Sequence, residues 1–290
     1  MIEQDLSEGS LLQTFTLIFF LLGISFLMAW IAWKRDFFKP LPFHSALSIK
    51  GLDVFEGFAF FLTAELFIFP LFVFILLETH VVSLNPSSRT WLNLIPIYGG
   101  ALAVWVFYQR LTSLQKHNLW QQTSVHRWQS IKTGLLGLAV FYFPAMLISY
   151  LISLMIGTFS DHAPKDQIAI EFLRQVKEYP LQLIMSIVAI TILAPLKEEF
   201  LFRGLLQTWL KQKFHSTTPA ILLTSLIFAL FHFAGAQALS NIPLLCALFF
   251  LSCGLGYVFE KEGSLWASVA LHAGFNSLQI VLFLVTEGTI

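Results

Sequence analysis

From about residue 11 to its end, the chain alternates long apolar stretches with short polar connectors. A helix that crosses the hydrocarbon core needs ~20 mostly apolar residues. Stretches of that kind lie at 11–33, 55–78, 92–109, 134–157, 182–210, 218–236, 242–259 and 264–285. The fifth is the least regular, because Lys197, Glu198, Glu199 and Arg203 interrupt it. Segment 161–180 has another pattern. Ile168, Ile170, Phe172, Leu173 and Val176 recur at helical spacing among acids and bases. That suits a helix lying in the membrane interface, and equally a loop with some helical content. The pattern predicts an all-α polytopic transmembrane bundle of about eight spans, with an interfacial helix within 161–180. No polar domain separates the stretches, so one integral membrane domain is expected.

Composition supports lipid as the solvent. Hydrophobic residues make up 57% of the chain and charged residues only 12%, about half the charged fraction of soluble proteins. Net charge is zero, with 17 basic and 17 acidic residues and no basic stripe, so no nucleic-acid partner is expected. The acidic start (Glu3, Asp5, Glu8) is unlike the basic region of a cleaved signal peptide, and the C-terminal Thr-Glu-Gly-Thr-Ile carries no lipidation motif. Cys246 and Cys253 sit inside an apolar run and read as small helix residues. Of the Lys and Arg residues in connectors, 11 fall on one side of the spans and 4 on the other. The positive-inside rule therefore places both termini outside the cytoplasm.

Ionisable groups inside the hydrocarbon are costly and mark function by default. Three short segments hold most of them: Glu198-Glu199-Phe-Leu-Phe-Arg203, Phe228-Ala-Leu-Phe-His232 and His272-Ala-Gly-Phe-Asn276. Neighbouring helical residues point ~100° apart, whereas residues four apart share a face. Glu199 is thus placed to pair with Arg203, leaving Glu198 turned elsewhere. Taken singly, each segment also reads blandly: acids paired with Lys197 and Arg203, a satisfied core histidine, or a polar contact between helices. Their depth links them. Counted from the cytoplasmic turns at ~1.5 Å per residue, Glu198, His232 and Asn276 all lie roughly 20 Å up, with His272 one turn below.

A carboxylate, two imidazoles and an amide at one depth supply a general base, a positioned water and donors to an oxyanion. Those are the parts needed to hydrolyse an amide, with water rather than Ser or Cys as nucleophile. The competing arrangement is a zinc site formed by Glu198, His232 and His272. Glu65, in the second span, either lines the cavity or pairs with a polar group. Pro195 either kinks the fifth span beside Glu198 or starts a helix.

The three motifs Glu198-Glu199-x-x-x-Arg203, Phe228-x-x-x-His232 and His272-x-x-x-Asn276, in this order on apolar stretches, resemble those of the CPBP family, the CaaX proteases and bacteriocin-processing (Abi) enzymes. The resemblance divides the chain into N-terminal helices and loops, 1–180, and a catalytic transmembrane core, 181–290. It implies an intramembrane endopeptidase of a multi-pass, bacterial plasma-membrane type acting on a protein or peptide substrate, one that is membrane-anchored or prenylated in some members. In it Glu198 would activate water with help from His232, His272 and Asn276 would stabilise the oxyanion, and Glu199 and Arg203 would support them. No cofactor is expected under the glutamate mechanism; zinc is the alternative. A proton-coupled transporter, using the same Glu and His as a relay, and a non-catalytic bacteriocin-immunity protein remain as other classes.

Overall fold

The structure is a computed structural model that describes residues 2–39, 49–120, 127–159 and 168–287. Its helices, in chain order, are α1 (Ile2–Lys34), α2 (Gly51–Glu78), α3 (Pro86–Arg110), α4 (Ser113–Trp120), α5 (Arg127–Phe159), α6 (Ile168–Val176), α7 (Pro180–Phe214), α8 (Thr217–Leu230), α9 (Asn241–Glu262) and α10 (Leu265–Thr286). Among the described residues there is no strand. The protein is an all-α, multi-pass membrane bundle. Among the described residues, helices α1, α2, α3, α5, α7, α9 and α10 account for the 7 that are long and apolar enough to cross a bilayer.

Helix α8 is the difference from the expected eight full spans. Its apolar run continues through Phe233, yet the helix stops at Leu230 after 14 residues, about 21 Å of rise. The cause is local. The His232 ring takes the Phe228 carbonyl through Nδ1 at 2.9 Å, and that carbonyl would otherwise accept the His232 backbone N–H. The N–H turns to Ala229 O instead, at 2.9 Å, tightening and ending the helix. A short 3₁₀ stretch, Gly235–Ser240, leads into α9.

Two helices carry π segments, and one segment in each has the same cause. In α2 the segment Ala64–Ile68 ends two residues before Pro70, and in α7 the segment Ala189–Leu193 ends two residues before Pro195. A proline has no N–H to give to the preceding turn, so each helix absorbs the missing bond as a bulge. A second π segment, Phe200–Gln207, follows in α7.

Helix α7 runs through the bundle against α2, α3, α8 and α10, while α5 forms a second spine against α1, α9 and α10. The α5–α10 approach is close at Gly134, where any Cβ would collide with the Ala267 carbonyl, as small residues permit in lipid. Large side chains of α1 and α2, such as Phe26, Phe55 and Phe67, face outward. Around α7 a buried core joins Val54 and Phe107 to Leu201, Leu205 and Phe228. Helix α6 realises only part of the expected 161–180 element; residues 161–167 lie outside the described residues. Its Leu173 and Val176 bury against Ile280 and Phe283 of α10. Glu287, just beyond α10, accepts from Arg174 and Lys177 at 3.0 Å each.

Candidate active site

Glu198 and Glu199 lie between the two π segments of α7 and diverge as adjacent helical residues must. Glu199 turns into the protein and is fully buried, as is Arg203. Arg203 Nη1 donates to Glu199 Oε1 at 2.9 Å, and its Nη2 donates to the Oγ and carbonyl of Ser252 on α9 at 2.6 and 3.2 Å. The Phe228 ring lies 4.7 Å from this guanidinium and packs on both imidazoles, with centroids 4.8 Å from His232 and 5.8 Å from His272. The Phe of the second motif is therefore a packing surface for the charged groups.

Two histidines from different elements reach Glu198. His272 on α10 places Nδ1 2.7 Å from Glu199 Oε1 and Nε2 3.8 Å from Glu198 Oε2. His232, in the turn after α8, places Nε2 3.9 Å from the same oxygen. Its Nδ1 faces a carbonyl, which only accepts, so Nδ1 carries the hydrogen and the Nε2 lone pair faces Glu198. Glu199 Oε1 anchors the His272 ring through Nδ1. The cations pair elsewhere: Lys197 donates to Glu65 Oε2 at 3.0 Å, and Arg203 to Glu199. Glu198 thus has two imidazoles as neighbours while each nearby cation serves another carboxylate.

Asn276 enters through the π segment of α7. The Ala194 N–H bonds Ala189 O, and Pro195 has none to offer, so the Ile190 carbonyl has no helical donor. Asn276 Nδ2 supplies one at 2.8 Å. One amide hydrogen of Asn276 is therefore committed to the backbone.

Glu198, His232, His272 and Asn276 line one cavity of about 410 Å³, together with Glu65, Lys197 and Gln237. Ile97, Ile168, Ala169 and Ile190 also line an adjoining, mostly apolar cavity of about 610 Å³. Glu65 both lines the cavity and pairs with Lys197. Four polar residues around the centre escape sequence reasoning: Ser252, Gln237, Asn241, and Lys197 as partner of Glu65. Lys197 and Ser252 each had a visible sign, a polar residue inside a span, but not one that names a partner.

The donor types suit zinc: two imidazole Nε2 atoms, each with its Nδ1 anchored, and one carboxylate oxygen. Their 3.8–3.9 Å separations exceed the ~3.3 Å edge of a tetrahedron with bonds of about 2 Å. Among the described residues no group of His, Cys, Asp and Glu closes to metal-binding spacing.

Residues 180–278 match the family model described as type II CAAX prenyl endopeptidase Rce1-like. No curated protein and no solved structure matches the chain.

Proposed function

From the premise that residues 180–278 are an Rce1-like domain of the CPBP family, we propose that this protein hydrolyses peptide bonds within the membrane by a water that Glu198 activates. The family is one of membrane proteases whose substrates are proteins or peptides. The observation that carries the mechanism is the convergence of two oriented imidazoles on a carboxylate without a cation of its own.

A water between these groups donates one hydrogen to Glu198 and one to His232 Nε2. Water has two hydrogens, so a third acceptor would be left facing its lone pair. His272 resolves this when it carries a proton on each nitrogen: Nδ1–H donates to Glu199 and Nε2–H is free for an oxyanion. The attack proceeds as follows. The water oxygen bonds the scissile carbonyl carbon while its proton passes to Glu198. The oxyanion accepts from His272 Nε2–H and from the second N–H of Asn276. The tetrahedral centre then collapses, the C–N bond breaks, and Glu198 returns its proton to the leaving nitrogen. Arg203 and Glu199 touch no substrate in this scheme; they hold His272 in place.

A zinc-dependent version is favoured by one feature, the anchoring of both Nδ1 atoms. Glu198, His232 and His272 would then hold the metal, which would supply a Lewis acid and an acidified water. The substrate side of the proposal is a membrane-anchored or prenylated peptide, and the location a bacterial plasma membrane with both termini outside. The adjoining apolar cavity supports the first of these.

The test compares membrane proteomes from cells carrying wild-type protein or Glu198→Gln, together with cleavage of an internally quenched peptide by purified protein. Substrates are expected to accumulate uncleaved with the variant, at equal expression. Undiminished cleavage by Glu198→Gln ends the assignment of Glu198 as base.

A further inference from the structure

Beyond Phe231, which stacks on Phe58 and Phe202, the segment that carries His232 has little apolar anchorage: Leu230, Phe233, Leu239 and Ile242 are exposed. A catalytic side chain on such a segment needs some other constraint, because groups at a reacting centre must be held to a fraction of an ångström. We propose that Asn241 is a positioning residue of the centre, the amide that clamps segment 232–240 so that His232 meets Glu198 and Gln237 faces the catalytic cavity.

Asn241 is the first residue of α9 and is almost fully buried. Its Oδ1 accepts from the Ala234 N–H at 3.0 Å, and its Nδ2 donates to the carbonyls of Ala234 and Ala238 at 2.8 and 2.9 Å. Three hydrogen bonds of the amide group, including both of its donors, are turned onto the backbone two to six residues beyond His232. Ala234 O also accepts from the Gln237 N–H at 2.9 Å, so one carbonyl ties both ends of the loop.

Ala238 is the independent sign that this loop is held rather than relaxed. Its backbone stands at φ 46°, ψ −124°, a region that residues with a Cβ rarely enter. Such a conformation persists only where its surroundings over-determine it, and it clusters at functional sites. Here the Asn241 bond to the Ala238 carbonyl is the constraint. The result is visible at the next residue back: Gln237 is buried, with 4% of its surface exposed, and lines the same cavity as Glu198, His232, His272 and Asn276.

The kinetic arm of the test rests on the endopeptidase reading; the structural arm does not. Full-length protein in detergent, as wild type and as Asn241→Ala, is exposed to diethyl pyrocarbonate, and modification of each histidine is followed by mass spectrometry. Modification of His232 is expected to quicken severalfold in the variant while that of His272 is unchanged. An unchanged His232 rate overturns the proposal. In parallel, cleavage of an internally quenched peptide bearing a prenylated cysteine is measured for wild type, Asn241→Ala, His232→Ala and the double variant. Turnover by Asn241→Ala is expected to fall about 10–100-fold, the usual effect of losing a supporting hydrogen bond, with KM little changed. In the His232→Ala background the same substitution should add less than about twofold, since contacts that act through one group are not additive. A full extra loss in that background makes Asn241 merely structural and refutes the positioning role. If alanine prevents folding, Asn241→Asp keeps the shape and the accepted N–H but loses both donated bonds, and carries the same comparisons. A wild type that cleaves nothing, or that Glu198→Gln matches, counts against the function and not against the clamp, which the modification rates decide.

Discussion

Arg203→Met removes a fully buried charge while keeping a side chain of similar reach. Arg203 has no exposed surface, and four contacts hold it: Glu199 at 2.9 Å, two Ser252 oxygens at 2.6 and 3.2 Å, and the Phe228 ring at 4.7 Å. Without it, Glu199 keeps a fully buried carboxylate with only His272 as a partner. Breaking one side of a buried pair costs about 3–5 kcal/mol. At about 2–4 °C per kcal/mol, the unfolding midpoint should drop by roughly 6–20 °C. The assay is thermal unfolding of purified protein in detergent, followed by tryptophan fluorescence, with two comparisons on the same protein. Lys39→Ala breaks the Lys39–Asp36 pair, whose side chains are 65% and 67% exposed, and should cost under about 1 kcal/mol. Glu198→Gln changes the neighbouring carboxylate, which no cation holds, and should leave the midpoint nearly unmoved while abolishing cleavage. If Arg203→Met is no more harmful than Lys39→Ala, or if Glu198→Gln destabilises as much as Arg203→Met, the division of labour between the two glutamates is wrong.

Asn276→Leu leaves the Ile190 carbonyl without a donor and should destabilise by about 1–3 kcal/mol; turnover should also fall about 10²–10³-fold if the remaining N–H serves an oxyanion, and a fall below about threefold would confine Asn276 to holding α7. Dialysis against a chelator should leave peptide cleavage largely intact, whereas loss that zinc alone restores would assign Glu198, His232 and His272 to a metal. Hydrogen bonds from Lys177 and then Arg174 hold the Glu287 carboxyl below the usual glutamate range. A depressed folded-state value stabilises above the unfolded value and is lost as pH falls through the folded one. The midpoint of wild type should therefore exceed that of Glu287→Gln at neutral pH, and the gap should close on acidification below about pH 4; a gap that persists there would detach Glu287 from the α6 contact.

The all-α, membrane-spanning character of this protein was decided by local sequence, because a run of apolar residues has one stable answer in lipid: a helix that satisfies its own backbone. The Glu199–Arg203 pairing followed from the 3.6-residue period, and the grouping of Glu198, His232 and His272 from helix rise alone, since each count starts at a turn that charge marks. Tertiary structure decided the rest. Sequence did not show α8 ending at Leu230, because Phe231 and Phe233 continue the apolar pattern and only a side-chain bond from His232 ends the helix. Nor did Pro195 by itself reveal where its orphaned carbonyl would be met, since Asn276 lies 86 residues away along the chain from Ile190. Lys197 could equally have neutralised Glu198; it turned to Glu65 because α2 packs against α7. Hydrophobicity determines which segments enter the membrane, but lipid does not distinguish one polar partner from another. Pairing inside the bilayer depends on how the helices meet.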